Sequence, residues 1–180
     1  MVAVEFELDH LVWGSADVAR DAAWLTTRTG TAPVPGGRHE GLGTANHLLG
    51  LQGERRYLEL IHRDPQATTS SALAERLSGL STGGLCHWAL RCADLDALHE
   101  RALALGLTST GALPTSRAAP DGTILHWRLL FLGGHRRGGL VPFFIDWQDT
   151  PHPARSLVPA ATTSEPVLAS PDARPLRTLL

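Results

Sequence analysis

An α+β fold of two βαβββ modules in tandem is predicted by two observations. The stretch His10-Leu-Val-Trp-Gly-Ser-Ala-Asp17-Val18 recurs as His87-Trp-Ala-Leu-Arg-Cys-Ala-Asp94-Leu95, with the histidine and the Ala-Asp-aliphatic triplet both offset by 77 positions (10 to 87, 17 to 94). The order strand, helix and three strands also reads twice along the chain. A histidine late in an apolar strand, followed by an aspartate placed to open a helix, is a structural unit, and its recurrence marks a duplication. Two histidines then hold equivalent places, where a pseudo-twofold axis can bring them together.

The elements follow in order. Val4 to Trp13 alternates up to Gly14-Ser15 and reads as a first strand, with Leu8, His10 and Val12 on one face and Asp9, Leu11 and Trp13 on the other. Asp17 opens a helix whose apolar stripe is Val18, Ala22 and Leu25 and whose stop is Gly30. Thr31 to Glu40 contains Pro33, Pro35, Gly36 and Gly37, which predicts a short edge strand and a turn. Thr44 to Leu51 and Arg56 to His62 are strands joined through Gln52-Gly53-Glu54. Thr68 to Leu80 is a connector helix ending at Gly83-Gly84. The second copy has strand Leu85 to Cys92, helix Asp94 to Leu105, and strands at Leu107 to Leu113, Thr123 to Leu132 and Leu140 to Trp147. Beyond Trp147 the chain is rich in Pro, Ser, Thr and Ala and reads as an irregular arm, with a short helix over Asp172 to Leu180. The resulting boundaries are 1–62 for the first module, 63–82 for the connector, 83–147 for the second module and 148–180 for the arm.

Composition narrows the function. At 180 residues the chain suits one domain, or two small modules sharing a core. A net charge of −2 offers no basic footprint, so nucleic acid is not an expected partner. No apolar run approaches the ~20 residues of a membrane span, and the acidic start is unlike a signal peptide, so a cytoplasmic protein without a membrane partner is expected. Cys86 and Cys92 sit too far apart on one strand to bridge and read as reduced thiols. All basic residues are arginine, which excludes Schiff-base chemistry on a lysine of this chain. Neither a phosphate-binding glycine loop nor a nucleophile elbow occurs.

Two βαβββ modules with a histidine on each first strand resemble the vicinal oxygen chelate superfamily of glyoxalases, extradiol dioxygenases, epimerases and drug-binding resistance proteins. The resemblance covers residues 4–147. Leu8-Asp9-His10-Leu11-Val12, Gly36-Gly37-Arg38-His39, Tyr57-Leu58-Glu59-Leu60 and Phe143-Phe144-Ile145-Asp146-Trp147 are similar to glyoxalase-like domain proteins. The resemblance implies curved half-barrel sheets around a small-molecule cavity, with helices outside. It also implies a metal ligand from the first and last strand of each module, which here gives His10 and Glu59, then His87 and Asp146. Asp146 departs from the usual glutamate, which leaves open ligation through water or a purely structural role for it, with three ligands from the protein.

Strand parity is consistent with that set, since Tyr57, Glu59 and Ile61 share one face and Phe144 and Asp146 share another. A carboxylate in an apolar strand carries a desolvation penalty that a divalent cation would offset. Nitrogen and oxygen donors suit Zn, Ni, Mn, Co or Fe without choosing among them. His47, His126 and Arg128 lie on strands that complete the half-barrels and are candidate substrate-binding residues, with a solvated or packing role as the alternative. His39 and Glu40 read as a surface turn, Tyr57 and Trp127 as packing residues, His62 as facing away from Glu59, and His152 as solvent-exposed.

The expected function is a metal-dependent lyase or isomerase acting on a small substrate with vicinal oxygens, in which Glu59 or Asp146 shuttles a proton. The alternatives are a non-catalytic binding protein of the same fold and an extradiol-type dioxygenase. A homodimer is the expected assembly.

Overall fold

The structure, a computed structural model, describes residues 5–39, 41–135, 138–163 and 178. β1 (Glu7–Ser15), α1 (Val18–Thr29), β2 (Val34–His39), β3 (Thr44–Leu51) and β4 (Tyr57–Arg63) form the first module, and α2 (Ala72–Ser78) connects it to the second. The second comprises β5 (Gly84–Arg91), α3 (Leu95–Ala104), β6 (Thr108–Ser109), β7 (Leu113–Ala118), β8 (Ile124–Leu130), β9 (Leu132–Gly133) and β10 (Phe143–Asp146), and β11 (Pro159–Ala161) follows.

Nine strands hydrogen-bond in the order β11-β3-β2-β7-β8-β10-β5-β1-β4, and β3 also pairs with β4, so all but β11 close into an eight-stranded barrel. The duplication is written into its pairing. β1 runs parallel to β4 as β5 does to β10, and the β2–β3 and β3–β4 hairpins match β7–β8 and β8–β10. The modules meet through antiparallel β1 and β5, and through the Arg38–Ala118 pair between β2 and β7.

The predicted helix starts are observed. Asp17 and Asp94 each accept a backbone N–H of the first turn, from Arg20 at 3.0 Å and Ala97 at 2.8 Å, satisfying donors that a helix end leaves orphaned. Gly30 ends α1 in the left-handed conformation, with φ at 71°. Both helices cover the barrel's outer face. Leu25 of α1 packs with Leu49, Leu58 and Leu60, while Leu95, Leu98 and Ala102 of α3 pack with Leu90, Leu130 and Phe144. Each such leucine contributes about 1.5–3 kcal/mol by leaving water. The connector has a different task, because Leu77 of α2 packs on Val12 and Ile61 and so forms part of the cavity wall.

Three expectations are corrected. β2 is not an edge strand but lies between β3 and β7, and Gly36-Gly37 gives it an irregular register against β3. The second strand of the second βαβββ unit starts at Leu113, where the sequence pattern ended it, because Thr108–Ser109 leaves to form a separate ribbon with β9. The arm is ordered in its first part: Pro153–Ser156 forms a 3-10 turn and β11 adds in parallel to the end of β3. The helix expected over residues 172–180 falls almost wholly outside the described residues. Among the described residues, both cysteines are free and no helix is long and apolar enough to cross a membrane.

Candidate functional site

Alternation along the strands sends every second side chain inward, where the barrel encloses a cavity of about 620 Å³. His10, Glu59 and His87 all line it. Tyr57 stacks on His10 with ring centroids 4.6 Å apart. Trp127 also faces the cavity.

Asp9 anchors the site from behind. Its side chain is fully buried and meets His10 Nδ1 at 2.6 Å, Trp147 Nε1 and His152 Nε2 at 3.1 Å, and Arg91 at 3.3 Å. Burial by itself would raise the Asp9 pKa, but the hydrogen bonds from His10 and His152 outweigh it and hold the carboxyl ionised well below the usual range. An ionised carboxylate only accepts, so Nδ1 of His10 carries a proton and Nε2 is left to face the cavity.

Nε2 of His10 lies 3.7 Å from Glu59 Oε2. The other Glu59 oxygen accepts from Asn46 Nδ2 at 2.7 Å and is 3.8 Å from His39 Nε2. Glu59 thus has one oxygen fixed and one free, with only 8% of the residue exposed. Burial pushes the His39 and His87 imidazoles below their ordinary values, so both are favoured neutral. Burial, reinforced by the charges of Asp9 and Glu59, drives the Tyr57 pKa well up, and its hydroxyl keeps its proton.

Asp146 does not join this group. It lies on the outer face, where Arg128 donates to it at 2.7 Å and the Gln148 backbone N–H at 2.9 Å. The register gives the reason. Val12 pairs with Glu59 across β1 and β4, and Ala89, the twofold equivalent of Val12, pairs with Phe143 across β5 and β10. The second-module counterpart of Glu59 is therefore Phe143, whose ring packs 5.4 Å from His10 and 5.1 Å from His87.

The expected ligand set does not fit a metal ion as these residues are placed. A phenyl ring occupies the fourth corner, and His87 Nδ1 accepts the backbone N–H of Trp88 at 3.0 Å. Among the described residues, no three His, Cys, Asp or Glu side chains converge closely enough to hold a cation.

The remaining candidates separate in the same way. His126 is exposed, Arg128 pairs with Asp146 and Asp96 outside the barrel, and His47 sits on the outer face 5.4 Å from His62. None of the three lines the cavity. His152, expected in solvent, is buried against Asp9. His39, read as a surface turn, lines the cavity, while Glu40 lies outside the described residues. Asp9, Asn46 and Arg117 were not singled out by the sequence. The run Asp9-His10, two polar residues inside an apolar strand, was the available signal for the first.

The model of the glyoxalase-like domain matches residues 8–180. No curated protein matches the chain. Similar solved structures include a hypothetical protein from Staphylococcus aureus, with TM-score 0.65 and 18% identity, covering 81% of this chain and 60% of that one. Methylmalonyl-CoA epimerase from Mycobacterium tuberculosis is similar with TM-score 0.54 and 22% identity, covering 77% and 85% of the two chains. The Streptomyces coelicolor methylmalonyl-CoA epimerase (S115T), in complex with 2-nitronate-propionyl-CoA, gives 0.57, 19%, 82% and 98%. At these identities the likeness is one of fold. A duplicated barrel of this topology, together with a family match over residues 8–180, leads to one conclusion: the chain belongs to the glyoxalase-like domain family of the vicinal oxygen chelate superfamily.

Proposed function

We propose that the chain is an acid–base enzyme of the isomerase or lyase kind, which moves a proton at a carbon beside a carbonyl of a small, oxygen-bearing substrate. The observation that carries this reading is Glu59: one oxygen is held by Asn46, and the other faces an apolar cavity next to an imidazole locked by Asp9. A carboxylate placed there removes a proton from an acidic C–H. The proton passes to Nε2 of His10, where Asp9 balances the imidazolium charge, and returns to the neighbouring carbon or to the other face. The Tyr57 hydroxyl, protonated and without a hydrogen bond to any described residue, is a donor for the developing enolate oxygen.

No step is assigned to a divalent cation, because Phe143 stands where the fourth ligand belongs and His10, Glu59 and His87 do not converge. The dioxygenase alternative depends on that same convergence and loses support with it. Apolar walls from Trp127, Leu129 and Ile145 favour a second reading, a binding protein without catalysis.

Deuterium wash-out separates the two. Protein is incubated in D₂O with a series of small hydroxy ketones, 2-oxo aldehydes and 2-oxo acids, and loss of the α-proton is followed by NMR. Wild type exchanges at least one compound, and Glu59→Gln slows that exchange about 10²–10⁴-fold. Binding in the cavity with exchange of none of the compounds, or exchange that survives Glu59→Gln, overturns the enzymatic reading.

A further inference from the structure

Among the described residues Arg117 is the one buried arginine. Arg20, Arg38, Arg91 and Arg128 each have a carboxylate oxygen within 3.3 Å. Arg117 on β7 is only 5% exposed, yet among the described residues it makes no hydrogen bond or ion pair, and its Nη1 is buried without a partner. It lines the same cavity as Glu59 and His10.

Its position is built. Gly37, at φ +147, leaves room for the guanidinium, since a Cβ there would lie 2.6 Å from Nη1 and 2.3 Å from the Ala118 carbonyl oxygen. Burial alone pulls the Arg117 pKa down, with Tyr57 and Glu59 opposing it, but a guanidinium stays charged. An unpaired charge out of water is far more costly than a neutral polar group unless an anion joins it.

We propose that Arg117 is an anion subsite, and that the cavity takes a carboxylic acid with a small apolar body. The planar fork of a guanidinium matches a carboxylate with two parallel hydrogen bonds. Arg76, which is exposed, also lines the cavity, but Arg117 is the buried cation there, and one buried guanidinium with the Glu59 charge nearby favours a monoanion over a phosphate dianion. The body of the acid then lies on Trp127, Leu129, Phe143 and Ile145. This deepens the proposed function by naming its substrate class, and it rests on that reading only for where the reacting carbon lies.

The test compares matched probes by calorimetry: phenylpyruvate and phenylacetate, the amide of each, and phenylphosphonate. Wild type binds at least one of the acids tenfold or more tighter than its amide. Arg117→Gln removes the preference, Arg117→Lys keeps part of it, and Glu59→Gln retains it even where proton exchange is lost. Equal binding of acid and amide, no binding of either acid, a preference that survives Arg117→Gln, or tighter binding of phenylphosphonate overturns the carboxylate subsite. Because the acid-to-amide ratio is read in wild type, the outcome stands even if Arg117→Gln fails to fold. Absence of proton exchange in wild type with the ratio intact would remove the acid–base reading and leave this one.

Discussion

Replacing Asp9 with Asn tests whether one buried carboxylate holds both the site and the turn after β10 in place. Asp9 joins β1 to β5 through Arg91 and to the segment after β10 through Trp147 and His152, and it orients His10 at 2.6 Å. A hydrogen bond to a charged group contributes about 1.5–3 kcal/mol, and breaking a buried ion pair costs about 3–5 kcal/mol. Asn still accepts two of the four donors, so the expected loss is about 2–4 kcal/mol, a large share of the ~5–15 kcal/mol that keeps a domain folded. Urea unfolding followed by tryptophan fluorescence gives the value, with an unchanged slope confirming a pure stability effect. The sign with pH follows from the direction of the shift. Because folding lowers the Asp9 pKa below its ordinary 3.8, the carboxylate's contribution is fully present above that value and fades as pH falls below it. The gap between wild type and Asp9→Asn therefore narrows progressively as pH falls below about 4. A difference under about 0.5 kcal/mol at neutral pH, or one that does not shrink on acidification, would refute the reasoning.

Three further outcomes are expected. Arg117→Met removes an unpaired buried charge and raises stability by about 1–3 kcal/mol while abolishing acid binding, seen as a higher melting temperature with a flat titration. Phe143→Glu installs a carboxylate at the twofold mate of Glu59, so elemental analysis after dialysis against Zn²⁺ or Ni²⁺ gives retained metal in the variant and none in wild type; stoichiometric metal in wild type, lost in His10→Ala, is the opposing result. Asp146→Ala costs no more than about 1 kcal/mol and leaves catalysis unchanged, because its partner Arg128 lies on the outer, partly solvated face; a loss of activity would return Asp146 to the site.

His10 and His87 stood out because duplication leaves the same residue at the same offset, and the family resemblance pointed to Glu59, with which strand parity is consistent. Parity failed at Asp146 because it says which residues share a face but not which face is inside. The pairing of Phe143 with Ala89 decides that, and the loop before β10 hides it from sequence spacing. Arg117 was missed because the strand pattern ended where β7 begins, leaving it in an apparent turn. His152, between two prolines, looked solvated; its partner Asp9 lies 143 residues away, beyond any local pattern.

The placing of Phe143 at the twofold counterpart of Glu59 has a consequence for chirality. Glu59, His39 and His10 come from the first half of the chain, while the matching wall from the second half carries Phe143, Leu129 and Thr115. A molecule turned end over end inside this shell does not meet the same surroundings twice. In the proposed reaction one prochiral face would meet the carboxylate and the other the rings, so the handedness of the product would be imposed by the drift between two ancestral copies.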